Sequence, residues 1–437
     1  MLARLLRRRR GGGRKPGAAR LYRPMRSAAP LKTLMQRYYL LTKAVPRLGL
    51  KTAWLTSGAP VEVPLSMGII PQYPENYGAL CGARKVGVEL CQVAEARGYS
   101  PDLCSYARND IGSIFAPEKA PLRGLSRPDV LIACNNICGT VTKWWEHLAH
   151  HLDVPLFMLD TPFTEAKRPP HLIDYAARQI EELVPFLERH TGRRYSETRL
   201  RQVAWRSAET VRLWNECLDL CTARPSPLSS ADRFLAMAPV VTIRGTWSAL
   251  GFYRTLKREV IARLERGEGA IVPEERFRLL WDNIAIWYDL FKLSSRFAAA
   301  GATFPVDTYT SAWTGSISLP PAETRARGGK ERSDAARWSE ATHVIARVYS
   351  DIYLNRGMDA KLAVMERMIR RYDLDGFVLH SNRSCKPYSL GQQVIRRELT
   401  GRTGKPGLVI EADMVDSRHY DDRRVPSQID AFLEVLA

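Results

Sequence analysis

The residues of this chain best suited to chemistry are thiols, and their surroundings divide them into two kinds. Eight cysteines stand at Cys81, Cys91, Cys104, Cys134, Cys138, Cys217, Cys221 and Cys385. That is too sparse for a disulfide scaffold of 437 residues, and no secretory apolar stretch precedes them, so a reduced, cytoplasmic setting is expected. Neither a Cys-x-x-Cys nor a His-Glu-x-x-His motif occurs. Cys91, Cys217 and Cys221 fall where helix faces are expected and read as small buried apolar groups. Cys104, Cys138 and Cys385 fall in polar loops instead. Thiolate selects zinc, copper or iron–sulfur groups. Spacing alone leaves three readings open: an iron–sulfur cluster, a structural zinc, or unrelated thiols.

Strand-like runs at 51–57, 68–73, 129–134 and 154–159 alternate with helical patterns near 61–67, 84–97 and around Trp144, which implies a parallel sheet with crossover helices. A leading helix is expected at 31–46. From about 172 to 222 the period is helical throughout. A second α/β region follows, with strands expected at 240–243, 302–306, 376–380 and 407–410, and helices at 247–266, 335–354 and 387–400. The Gly-, Pro- and charge-rich stretch 316–334 reads as a surface loop. The expected fold class is therefore α/β: two Rossmann-like domains with parallel sheets, joined by a helical segment. Their bounds are a basic arm and leading helix at 1–50, a first domain at 51–171 with Cys104 and Cys138, a connector at 172–235, and a second domain at 236–437 with Cys385.

The formal charge of +19 is local. Residues 1–51 hold 15 Lys or Arg and no acid, leaving +4 for the other 386. The body is nearly neutral, so no nucleic-acid partner is expected. The arm to about residue 30, with Arg7 to Arg10 in a row, is expected to be disordered. It reads as an extension or a stretch upstream of a start at Met25 or Met35, as a Ser-poor transit segment, or as a phosphate contact. No run of 18 apolar residues occurs, so no membrane-spanning helix is expected.

In open α/β sheets, ligand sites gather beyond the carboxyl ends of strands. Ser57 ends the first strand, Glu75 follows the second, Cys138 the third, and Cys385 follows the strand at 376–380. Each has a plainer reading. Glu75 could cap the next helix, and Ser57 could be a turn residue. Glu62 is an alternative acid that also fits a first helical turn. Asn135 and Asn136 could bond a cluster or shape the turn. His147, His150 and His151 read as surface or core-edge groups, and Trp144 and Trp145 as packing.

Five segments together resemble the 2-hydroxyacyl-CoA dehydratase family, which also contains benzoyl-CoA reductase subunits. They are Tyr73-Pro-Glu-Asn76, Leu103-Cys-Ser-Tyr-Ala-Arg108, Cys134-Asn-Asn-Ile-Cys-Gly-Thr-Val-Thr-Lys-Trp-Trp-Glu146, Arg244-Gly-Thr246 and His380-Ser-Asn-Arg-Ser-Cys-Lys-Pro387. They occur in the family's order across residues 51–437. The resemblance implies a 4Fe-4S cluster between the two domains, held by Cys104, Cys138 and Cys385, with Cys134 as the alternative to Cys138. Three thiolates leave one iron open to a substrate oxygen.

The resemblance further implies that a 2-hydroxyacyl-CoA thioester takes up one electron, and that the resulting ketyl radical anion expels its hydroxyl. Ser57 and Glu75 match the type of subunit whose cluster faces substrate, where they would assist hydroxyl departure and handle protons. Implied partners are an acyl-CoA, a homologous second subunit in a heterodimer, and a separate ATP-dependent iron–sulfur activator, since no GxxxxGK[ST] motif occurs here. The competing functions are an aryl-CoA reductase subunit, a non-catalytic electron relay, and a cluster-free scaffold or zinc protein.

Overall fold

The computed structural model describes residues 21–135, 137–163, 169–313, 315 and 334–437. Two four-stranded parallel sheets organise it. The first contains β1 (Lys51–Leu55), β2 (Ile69–Gln72), β3 (Val130–Cys134) and β4 (Leu156–Leu159) in the order β2-β1-β3-β4. The second contains β5 (Phe277–Asp282), β6 (Ala302–Asp307), β7 (Gly376–Asn382) and β8 (Gly407–Ala412) in the order β6-β5-β7-β8. One topology is thus used twice. In each sheet the strand order reverses beside the first strand, and the crevice where connections diverge lies between β1 and β3, or β5 and β7. β3 is buried along its whole length, as a central parallel strand covered on both faces must be.

Six helices belong to the first half: α1 (Ala28–Ala44), α2 (Glu62–Ser66), α3 (Pro74–Ala83), α4 (Gly87–Glu95), α5 (Ser105–Phe115) and α6 (Gly139–Leu152). The connector is α7 (Pro170–Thr191) and α8 (Glu197–Asp219). The second half carries α9 (Ser230–Ala236), α10 (Ala238–Thr242), α11 (Trp247–Glu265), α12 (Leu290–Ala299), α13 (Asp334–Tyr349), α14 (Met358–Arg371), α15 (Lys386–Ser389), α16 (Gln392–Thr403) and α17 (Arg424–Leu436). The halves share apolar cores. Ala341, Ile345 and Tyr349 of α13 join the cluster built on β1 and β3, so burial holds the two sheets together as well as each one internally. Among the described residues no helix is long and apolar enough to cross a membrane.

Four expectations need correction. The run at 240–243 is not a strand but falls in α10. A Ser229/Asp232 capping box starts α9, Pro239 suits the first turn of α10, and the Val240 N–H donates to the Tyr253 hydroxyl at 3.0 Å. The first strand of the second sheet is instead β5, disguised in sequence by Arg278. That side chain has no solvent exposure, and its guanidinium donates to the carbonyls of Cys221, Thr222, Ala223 and Tyr372. The helix expected at 84–97 is shorter, α4, and α3 precedes it. Residues 21–30 are tethered where disorder was expected: the Arg23 guanidinium donates to the Gly269 and Ile271 carbonyls, and the Arg26 and Ser27 N–H groups donate to Glu259. The rest of the basic arm, Asn136 and the loop at 316–333 lie outside the described residues.

Candidate functional site

Cys104, Cys138 and Cys385 are each the N-cap residue of a helix, α5, α6 and α15 respectively. The two caps that follow central strands occupy matching places in the repeated topology, after β3 and after β7. All three residues keep some exposure, whereas the other five cysteines are buried. They sit close enough to act on each other's charge: Cys385 is opposed by Cys104 and Cys138, and Cys104 by Cys138. Next to two of them, the Ser105 N–H donates to Ser384 Oγ at 3.1 Å, joining the loops of opposite halves.

Burial pushes all three thiols up, Cys104 to about 12. Main-chain N–H groups of the capped helices pull the other way, from Tyr106 and Ala107, Thr140 and Val141, and Tyr388. One of these contacts, Val141 N–H to Cys138 Sγ, spans 3.4 Å. The positive ends of helices therefore face sulfur that would ionise on binding a cation. Among the described residues no three Cys, His, Asp or Glu side chains stand close enough to hold one metal ion. That spacing does not suit a single structural zinc. A cluster asks less, because it spreads its ligands over separate irons.

Cys134, the alternative ligand, ends β3 in the core, with its Sγ 3.2 Å from the Thr56 hydroxyl. Cys138 is the member of the pair at the helix cap.

Glu75 lies in the first turn of α3 but does not cap it. Its carboxylate reaches across to the end of β1 and accepts the Ser57 main-chain N–H at 2.5 Å. Burial raises the Glu75 carboxyl above the usual range, and hydrogen bonds from the Ser57 backbone and hydroxyl partly offset this. Glu75 also opposes ionisation of Cys138, so the acid lies within range of that thiol's charge. Ser57 and Glu75 thus join Cys104, Cys138 and Cys385 in one group.

Of the remaining candidates only Asn135 borders the cavity that opens beside Cys138. Glu62 is fully buried and accepts from Ser207 and Tyr349 hydroxyls, each at 2.6 Å. Asn135 shapes the turn, its Oδ1 accepting the Thr161 N–H at 2.8 Å and its amide donating to Asp160. Trp144 and Trp145 are buried and pack edge to face, while His147 and His151 stack beside Tyr99 and Phe115.

Two residues of the group were missed in the sequence, Tyr106 and Tyr309. Tyr106 follows Cys104 by two residues. Tyr309 follows β6 much as Glu75 follows β2, so the strand-end rule that singled out Glu75 applied equally to it. Beside Cys138 a cavity of about 460 Å³ opens, lined by Ile137, Tyr388, Pro387, Arg356 and Lys361. The Lys361 ammonium donates to the Pro387 carbonyl at 3.1 Å, and burial lowers its pKa.

The pattern that defines the 2-hydroxyglutaryl-CoA dehydratase D-component family matches residues 56–436. Over 391 residues the chain is 30% identical to the (R)-2-hydroxyisocaproyl-CoA dehydratase alpha subunit of Clostridioides difficile, covering 89% of this chain and 90% of that one. It is 28% identical to the lactoyl-CoA dehydratase subunit alpha of Anaerotignum propionicum, over 88% and 90% of the two chains. It is 27% identical to a benzoyl-CoA reductase subunit of Thauera aromatica, over 86% of each chain.

Proposed function

The chain belongs to the 2-hydroxyglutaryl-CoA dehydratase D-component family, and we propose from that premise that it is the substrate-facing, alpha-type subunit of a 2-hydroxyacyl-CoA dehydratase, a lyase removing water from an (R)-2-hydroxyacyl thioester by a radical route. The observation that carries the reading is the meeting of three helix N-caps, all cysteine, beside one buried acid. Cys104, Cys138 and Cys385 would hold a 4Fe-4S cluster. When bound, such a cluster supplies a low-potential electron and an iron with an open position.

The chain's own residues do the rest. Glu75, held above the ordinary carboxylate range by burial, keeps a proton available for the departing hydroxyl. Once ionised, it can take the β-proton back. Ser57 aims that carboxyl through its N–H and offers its hydroxyl to the same carboxyl group. The cavity beside Cys138 gives the thioester its approach, and Arg356 and Lys361 suit the phosphates of coenzyme A. A homologous second subunit and a separate ATP-driven activator complete the system.

Likeness to a benzoyl-CoA reductase chain supports a second reading, electron transfer to an aromatic thioester without loss of water. Anaerobic purification followed by metal analysis tests the ligand set. Iron and sulfide near about four each per chain, lost in Cys138→Ala, are expected. A panel of 2-hydroxyacyl and aryl thioesters, assayed with partner subunit and activator, separates the reactions. Turnover of aryl substrates alone would remove the dehydratase assignment and leave the cluster in place.

A further inference from the structure

The residue just before Cys138 is a wall of the cavity that opens there. Ile137 lines that cavity, is largely buried, and belongs to the core of the first sheet. It has no room to back away. A methyl group on Gly58 would stand 3.1 Å from Ile137 Cδ1 and 2.8 Å from Ile352 Cδ1, so both side chains already press on that glycine. Gly58 follows Ser57, whose N–H holds the Glu75 carboxylate at 2.5 Å. The turn that presents Ser57 to Glu75 thus also fixes how far Ile137 reaches into the cavity. Tyr388 extends the apolar surface, because it shows the cavity its ring while its hydroxyl is out of reach of solvent. Leu354, Met358 and Ile395 add to it.

Among the described residues four charged side chains line the same cavity, and the protein itself holds each of them. Asp160 accepts from the Asn135 amide and, at 2.8 Å, from the Tyr175 hydroxyl. Asp282 accepts from the Thr308 hydroxyl at 2.6 Å and from the Gln392 amide at 2.9 Å, one on each oxygen. Arg356 donates to Asp351 at 3.1 Å. Lys361 donates to the Pro387 carbonyl and lies 5.7 Å over the Tyr353 ring. In the proposed reading the two cations serve the phosphates of coenzyme A. A carboxylate at the far end of the acyl group would then meet Asp160 and Asp282 with no cation of its own, and burying an unpaired charge is costly.

The acyl chain is bonded to the reacting carbonyl carbon, so it must lie against the wall nearest the thiols, where Ile137 stands. We propose that this acyl group is uncharged and apolar, and that Ile137 is the specificity-determining residue that limits its bulk. This rests on the proposed acyl-thioester function and names its substrate class, an aliphatic or aromatic 2-hydroxyacyl thioester as opposed to a dicarboxylic one.

Calorimetry with thioesters that lack the 2-hydroxyl, and so bind without reacting, tests both parts. With the anaerobically purified complex, 4-methylpentanoyl-CoA and 3-phenylpropanoyl-CoA are expected to bind at least about tenfold more tightly than glutaryl-CoA. Ile137→Ala should shift the ratio of the two apolar Kd values by about tenfold toward the bulkier phenyl compound. Ile137→Val, which removes a single methylene and spares the fold, should shift it the same way by about threefold. With activator and partner subunit supplied, kcat/KM for the corresponding 2-hydroxy thioesters should follow the same order. Glutaryl-CoA bound within about twofold of the apolar pair would overturn the substrate class. A Kd ratio within about twofold of the parent's in either variant would overturn the role of Ile137. A parent that binds none of the three thioesters would instead remove the underlying functional reading, so the failures are distinguishable.

Discussion

Arg244 and Glu62 form a buried ion pair, Nε to Oε1 at 3.4 Å, with the Tyr349 hydroxyl donating to the same carboxylate at 2.6 Å. The arginine is the first residue of the Arg-Gly-Thr segment, and its guanidinium stacks over the Tyr349 ring at 5.3 Å. The pair links α2 of the first half to the second half and to α13. Glu62→Gln should therefore cost about 3–5 kcal/mol, because an uncompensated buried cation remains. Denaturant unfolding checks this, and a Glu62→Gln/Arg244→Met double variant should regain part of the loss.

Glu75→Gln keeps an oxygen for the Ser57 N–H but no acid. The fold and the iron content should be unchanged while kcat falls by about 10²- to 10⁴-fold, the usual weight of a general acid–base group. Loss of iron together with activity would instead make Glu75 a structural support for the thiols.

Ser384 ties the loops of Cys104 and Cys385 by accepting from Ser105 and donating to Asp413. Ser384→Ala leaves the Ser105 N–H buried without that acceptor, at a cost of about 1–3 kcal/mol. Faster loss of iron to a chelator is the expected symptom, measurable by absorbance under anaerobic conditions.

Asp110 is buried in α5 and receives the Trp144 indole N–H at 3.0 Å. Burial pushes its carboxyl up to about 7, against which the indole bond acts only in part. The folded chain therefore binds this proton more tightly than the unfolded chain. Its contribution to stability is full below about pH 4 and is lost as pH rises to about 7, on the order of 4 kcal/mol in all. Asp110→Asn should flatten that slope, as read from denaturation midpoints across the same window.

Much of this was legible in the sequence because parallel strands buried on both faces read as unbroken apolar runs, as 130–134 does. The strand-end rule then found Ser57, Glu75, Cys138 and Cys385 without any coordinates. It failed where charge lay inside a strand. Arg278 interrupts the pattern of β5, yet Glu275 and main-chain carbonyls far away in sequence together satisfy its guanidinium, and no local window contains the carbonyls. Val240 and Val241 failed in the opposite sense. Their β-branched run suggested a strand, but Pro239 in the first turn and the Tyr253 hydroxyl favour a helix there. Tyr309, two residues past β6, was within reach of the same rule and was passed over only because β6 was expected to end at 306 in an otherwise apolar run.

The doubled strand order has a mechanical consequence. Two of the thiols belong to the first half and the third to the second, so a group held by all three, as proposed, would also clasp the halves together. On the proposed cluster reading, filling it would add binding energy to the apolar contacts that already join the halves, and losing it would remove that share. Protease sensitivity near the connector would then report whether the clasp is shut, without any substrate in the tube.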